Sequence, residues 1–138
     1  MNEQENIGII RSVYAAFAAG DAPTILGHIA DNAPWINYGS PVVPYTGERA
    51  GRAQIMEFFE AIAGSTTGGE VIADTYLANG DSVVTLGRYR ASVRSTGVAI
   101  DVPIVHVFTL RDGKITRWEG FSDSEKVAKA HSPSAAAA

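Results

Sequence analysis

The chain has 138 residues, 46% hydrophobic and 19% charged, with a formal charge of −4 and no cysteine. That length supports one domain with its own core, and an acidic balance without a basic run argues against nucleic acid as a partner. The missing cysteines exclude disulfides, thiolate metal sites and cysteine nucleophiles, and fit a reducing cytoplasm, the expected location.

The opening MNEQENIG lacks the basic-then-apolar pattern of a signal peptide. No apolar run approaches the roughly 20 residues a membrane helix needs, so no membrane partner is expected. Ile7, Ile10, Val13, Tyr14 and Phe17 recur at three- and four-residue steps and predict a helix over 6–19. Gly20 stops it. Asp21 then caps a second helix, with Pro23 near its first turn and Ile25, Leu26 and Ile29 inside, ending at Asp31-Asn32-Ala33-Pro34. Residues 35–38 read as a short strand. Residues 39–51, with Pro41, Pro44 and a turn at Tyr45-Thr46-Gly47, read as a loop long enough to cover something.

A third helix is predicted over 52–63, carrying Ile55, Met56, Phe58, Phe59 and Ile62, then a flexible connector over 64–69. Strands follow over 70–78 and 82–94, with turns at Asn79-Gly80-Asp81 and Ser95-Thr96-Gly97. The stretch 101–123 is a long hairpin closed at Arg111-Asp112-Gly113-Lys114, since Asp-Gly between alternating runs is a strong hairpin signal. Residues 124–130 have room for one or two helical turns. The domain is expected to span 1–130, and 131–138, HSPSAAAA, reads as a flexible tail. Three helices followed by a four-stranded meander predict an α+β fold. Its curved antiparallel sheet would curl around the helices and leave a cone-shaped cavity.

Both faces of the hairpin are largely apolar. Pro103, Val105, Val107 and Thr109 share one face of its first strand; Ile104, His106, Phe108 and Leu110 share the other. We expect Val105 and Val107, with Phe121, on the pocket wall. Ile104, His106, Phe108 and Trp118 are then expected on the convex face, as a homodimer interface holding a structural histidine. Asp123 is the leading chemical candidate. Turned inward, it would have a desolvated carboxyl suited to proton transfer; turned outward, it caps the last helix. Arg88 and Arg90 share one strand face, as do Glu119 and Asp123. They form either a charged network in the cavity or a ladder of ion pairs at its rim. Asn37 can hold a water or a carbonyl. Tyr14 is either a ligand contact or a core tyrosine. Trp35, Phe17, Phe58 and Phe59 are further wall candidates. His28, His106 and His131 lack metal-ligand spacing, so neither metal nor cofactor is expected. No phosphate loop, nucleophile elbow or dinucleotide fingerprint is present.

Several stretches, in order, carry a resemblance: YAAFAAGD with ILGHIAD behind it, then GRAQIMEFFEAI, NGDSVV and HVFTLRDGKITRWEGFSD. With them the chain resembles the nuclear transport factor 2-like superfamily, in particular its SnoaL-like and ketosteroid-isomerase-like members, over roughly 5–130. The resemblance implies the cone fold and a small hydrophobic or polycyclic ligand. Three templates follow from it. On the ketosteroid isomerase template the base position falls on Asn37, and the two oxyanion-hole positions fall on Val13, beside Tyr14, and on Val105. This disfavours that mechanism. On the limonene epoxide hydrolase template Asp123, Asn37 and Arg88 match, while the second aspartate falls on Arg90 and the tyrosine on Trp35. The SnoaL-like polyketide cyclase template asks only for an acid/base at Asp123. The resemblance therefore implies a cofactor-independent cyclase or isomerase first. Asp123 would be its acid/base, and Asn37, Tyr14 and Arg88 would orient the substrate. An epoxide hydrolase or a non-catalytic binding module, for a small ligand or a protein, are the alternatives.

Overall fold

A computed structural model describes residues 2–132. The first helix, α1 (Glu3–Ala18), starts earlier than its apolar stripe because the Asn2 side chain accepts from the Glu5 N–H at 2.8 Å. The short helix α2 (Ala22–Gly27) is capped by Asp21 as expected. It stops well before Asp31, because Ile29 leaves the helix and bridges to Ile115. Next come β1 (Pro34–Asn37), β2 (Gly47–Ala50) and α3 (Arg52–Ser65). Four long strands follow, β3 (Thr66–Asn79), β4 (Ser82–Val93), β5 (Ala99–Arg111) and β6 (Lys114–Ser122), and then α4 (Ser124–His131).

The architecture is α+β, with helices packed on a curled, mostly antiparallel sheet of six strands in the order β2-β1-β6-β5-β4-β3. Two pieces of it differ from the sequence reading. The stretch Gly47–Ala50 is a strand paired with β1, not part of a loop. Residues 66–69 belong to β3 rather than to a connector; their glycines fall at a register shift between Thr67 and Glu70. A second shift lies between Ala73 and Thr75, opposite Gly87. A Cβ at Gly87 would sit 2.0 Å from the Ile72 carbonyl oxygen, so only glycine lets the strands approach that closely there. Such bulges strengthen local twist and curl the sheet toward α1. The short β1 runs parallel to β6 and carries Trp35, Ile36 and Asn37 alongside Trp118, Glu119 and Gly120.

The direction of the hairpin faces is the main correction. Ile100, Val102, Ile104, Phe108 and Leu110 are buried, with His106 between them, whereas Val105 is 37% exposed. The concave face therefore carries Ile104, His106, Phe108 and Trp118. Val105 and Val107 look outward with their cross-strand neighbours Leu86, Val84, Phe121 and Glu119. The pocket-wall role expected for Val105 and Val107, and the convex placement expected for His106, are both overturned. The physical reason is that α1 and its apolar stripe cover the other face: the Tyr14 ring lies 5.8 Å from His106 and 6.1 Å from Phe108.

The end of the chain also differs. His131 is not in a flexible tail. It closes α4 and is buried against Tyr45. The remainder of the expected tail, 133–138, lies outside the described residues.

Candidate functional site

The cone encloses a cavity of about 100 Å³, walled by aromatic rings. Trp35 and Trp118 stack at 4.6 Å with 26° between their planes. Phe58 meets both edge-on or tilted, and Phe59 packs against Phe17 at 6.4 Å. The walls come from α1, α3 and the concave sheet face. The mouth is built by the 38–46 loop, Phe121, Ser122 and the start of α4. Tyr38 and Phe121 stack at 4.7 Å on that rim, both largely exposed. None of the lining residues is Asp, Glu, Lys or Arg.

The polar content of the cavity is a small set of neutral groups. Two of them form a pair: the Tyr14 hydroxyl lies 2.8 Å from His106 Nδ1. Burial pushes the Tyr14 phenol upward, and the Thr85 hydroxyl beside it, within hydrogen-bonding reach, acts the other way. Burial also pulls the His106 imidazolium down to about 3, so the ring is neutral at physiological pH. The contact fits two tautomers of the neutral ring. Either Tyr14 donates to Nδ1 and the ring proton sits on Nε2, or Nδ1–H donates to the Tyr14 oxygen and the Tyr14 O–H turns to the buried Thr85 hydroxyl beside it. Nε2 makes no hydrogen bond among the described residues, and the ring lines the cavity. In the first tautomer His106 presents a donor to the cavity, and in the second an acceptor.

Asn37 stands across the floor. Its Nδ2 donates to the Tyr45 carbonyl at 3.2 Å, tying β1 to the mouth loop. A second hydroxyl–imidazole pair, Tyr45 to His131 Nε2 at 2.9 Å, fastens the same loop to α4. Burial raises the Tyr45 phenol and lowers the His131 imidazolium. The Tyr89 hydroxyl and the Trp35 indole N–H are buried without a hydrogen bond among the described residues.

The structure divides the sequence-predicted residues cleanly. Tyr14, Phe17, Trp35, Asn37, Phe58, Phe59 and Phe121 line the cavity, Phe121 only at its rim. Asp123 does not. It is the exposed N-cap of α4, its side chain accepting from the Lys126 N–H at 3.2 Å, so the inward orientation is corrected to the capping one. Its neighbours Ser122 and Ser124 do face the mouth, so the strand-to-helix junction borders the site. Arg88 and Arg90 lie on the outer face and both pair with Asp101, at 2.6 and 3.4 Å. Glu119, also outside, pairs with Arg117 at 2.6 Å. The charged network is therefore the outer ladder of ion pairs. Both oxyanion-hole positions inferred from the resemblance are one residue off the side chains that meet in the cavity: Tyr14 and His106, not Val13 and Val105. Among the described residues no group of three or more His, Cys, Asp or Glu side chains could hold a metal ion. No helix there is long and apolar enough to cross a membrane.

The sequence reading missed Tyr45, Tyr89, His131 and the cavity role of His106. Only His106 carried a usable signal, a lone histidine in the same parity as Ile104 and Phe108. Tyr45 and Tyr89 had none beyond being aromatic.

A family model described as a SnoaL-like domain matches residues 10–118. No curated protein gives a significant match. Solved structures do. An NTF2-like protein of unknown function from Burkholderia pseudomallei superposes with a TM-score of 0.85 at 20% identity, covering 96% of this chain and 99% of the other. TerC, co-crystallised with polyporic acid, gives 0.83 at 28% identity, covering 92% and 98%. A protein from Jannaschia Sp. CCS1, described as a candidate SnoaL-like polyketide cyclase, gives 0.82 at 20% identity, covering 95% and 94%.

Proposed function

This chain belongs to the SnoaL-like domain family, and from its cavity we propose that it takes up an uncharged, mainly apolar ring compound and engages a carbonyl oxygen of that compound with His106. One observation carries the reading: the lining holds no ionic side chain, and among its polar groups is the hydrogen-bonded Tyr14–His106 pair. An anion would enter without a counter-charge, at a desolvation cost nothing in the lining offsets. A carbonyl needs only a donor, which Nε2–H supplies in the tautomer where Tyr14 donates to Nδ1, the one this reading adopts, while the aromatic walls bury the rings. The co-crystallisation of TerC with polyporic acid supports a ring compound as the ligand class.

The two tryptophans of the chain both line the cavity, so intrinsic fluorescence reports its occupancy. Titration with 1-tetralone, a two-ring ketone, is expected to quench it saturably, and 1-naphthoate, a carboxylate of similar size, is expected not to. Equal binding of both, or of neither, contradicts the reading.

A second reading is cofactor-free acid/base catalysis of the cyclase or isomerase type, favoured by the same pair. A donor aimed at a carbonyl stabilises the charge that develops on enolisation, and the carbon proton would pass to water at the open mouth, because the lining holds no carboxylate. Its test is deuterium uptake at the carbon beside the 1-tetralone carbonyl in D2O. Exchange above background that is lost in His106→Leu supports catalysis; no exchange leaves a binding module. The epoxide-hydrolase alternative is less well supported: of its three matching residues only Asn37 lines the cavity, while Asp123 caps α4 and Arg88 pairs with Asp101 outside.

We assign self-association to the outer sheet face. It exposes Leu86, Val105 and Phe121 among the Arg88–Asp101 and Arg117–Glu119 pairs, a mixture in which a two-fold partner finds both apolar surface and opposite charge.

A further inference from the structure

Gly120 is buried beneath Trp118, behind the cavity lining, and we infer that it is a positioning residue: it leaves room for the Trp118 indole to lie over it and thereby sets the size of ring compound the site admits. This rests on the reading of the cavity as the ligand site. In the sheet register Gly120 pairs with His106 on one side and with Asn37 on the other. A side chain at 120 would stand between the two polar groups of the floor.

A Cβ there would lie 2.4 and 2.5 Å from Cη2 and Cζ2 of Trp118 and 3.0 Å from Asn37 Oδ1. The indole therefore reclines over the glycine. Backbone conformation is not the reason for glycine at this position: Gly120 is not among the residues with positive φ, so any residue could adopt its conformation. The requirement is space alone. In the reclined pose Trp118 stacks on Trp35 at 4.6 Å and meets the His106 ring at 5.1 Å and 73°. Phe58 packs against it at 5.5 Å. With those contacts already made, an indole lifted off residue 120 has the cavity to move into. A methyl at 120 would shrink the space beside His106, and a two-ring ligand would feel that before a one-ring ligand does.

The test is calorimetric binding of 1-tetralone and cyclohexanone to the wild type, to G120A and to W118F/G120A. Near-UV circular dichroism follows the tryptophan pair. G120A is expected to weaken 1-tetralone about tenfold or more, the scale of overpacking strain, and to change cyclohexanone much less. Its tryptophan spectrum should change as the stack with Trp35 opens. The smaller ring in W118F/G120A should restore most of the 1-tetralone affinity, which a merely structural role for Gly120 would not produce. If G120A fails to fold, recovery of folding in the double variant supports the conflict with Trp118, and failure of both overturns it. Unchanged affinities in G120A, or equal loss of both ketones without recovery in the double variant, overturn the inference. Binding of neither ketone by the wild type would instead sink the ligand-site reading; an unchanged G120A spectrum would then overturn the placement of Trp118 as well.

Discussion

Along β5, Ile104, His106 and Phe108 look into the cone, while Pro103, Val105 and Val107 look out of it. The backbone is shared and the neighbours alternate, yet the chemistry is opposite. Outside, Arg88, Arg90, Asp101, Arg117 and Glu119 form ion pairs in contact with solvent. Inside, the polar side chains of the lining are neutral, and Tyr14 with His106 and Asn37 with Tyr45 are tied to one another. Exposed ion pairs cost little to form and contribute little to stability. A charge inside would have to be desolvated against aromatic walls. The difference teaches that charged residues on these strands mark the outside, and that the site works through oriented neutral donors.

The sharpest way to break this contrast is to place the same charge on adjacent residues of opposite faces. His106→Glu should destabilise the fold by more than about 3 kcal/mol, because the carboxylate would be buried without a partner. Val105→Glu should cost less than about 1 kcal/mol as a surface change. Its larger effect should be weaker self-association, since it charges the proposed dimer face. Chemical denaturation and sedimentation equilibrium read the two effects separately. Similar costs at both positions would erase the distinction between the faces.

The pH dependence sharpens the same contrast. His106 has a folded-state pKa lowered by burial to about 3. The unfolded chain therefore binds this proton first as pH falls through about 6.5, the ordinary histidine value. His106 stabilises nothing extra above that pH. Between about pH 6.5 and pH 3 stability falls as pH falls, with a slope of at most about 1.4 kcal/mol per pH unit from this one group. His131, also lowered by burial, acts in the same direction. Urea unfolding at pH 7 and pH 5 should show the loss, and His106→Gln should reduce it. An undiminished slope in His106→Gln would contradict a buried neutral histidine.

A smaller effect is expected at Tyr14. Tyr14→Phe keeps the ring and removes the O–H that fixes His106 Nδ1, at a cost of about 1 kcal/mol. Ketone affinity should fall with it, because the Nε2–H tautomer is no longer enforced. The smallest effects belong to Asp123. Asp123→Ala should cost about 1 kcal/mol as a lost helix cap, while Asp123→Asn, an equally good cap, should cost almost nothing. Neither should change 1-tetralone binding in the fluorescence titration. A large loss of binding in Asp123→Asn would return that carboxylate to the site.

The contrast also accounts for what could be read in the sequence. The α1 stripe was legible because Ile7, Ile10 and Val13 repeat at helical spacing, and the hairpin because Asp112-Gly113 punctuates two alternating runs. The aromatic wall was legible for Trp35, Phe58 and Phe59, since large rings near helices and short strands have few places to go. The direction of β5 was not legible. Val105 and Val107 are as apolar as Ile104 and Phe108, so a period of two finds two faces and cannot say which one α1 covers. That single ambiguity turned His106 outward. For Asp123 the sequence offered two orientations, inward or capping, and could not choose between them. Its neighbours Ser122 and Ser124 border the mouth, and its own carboxylate serves the helix that starts beside it. β2 was missed because Gly-Glu-Arg reads as turn chemistry, and its pairing partner, not its own pattern, makes it a strand.

The most direct test of the neutral site is the ¹⁵N spectrum of the His106 imidazole between pH 8 and pH 5. The account predicts one unchanging pattern across that range, with Nδ1 unprotonated and accepting from Tyr14 and Nε2 bearing the proton. An imidazolium appearing in that range, or the proton on Nδ1, would contradict it and make His106 a base facing the cavity.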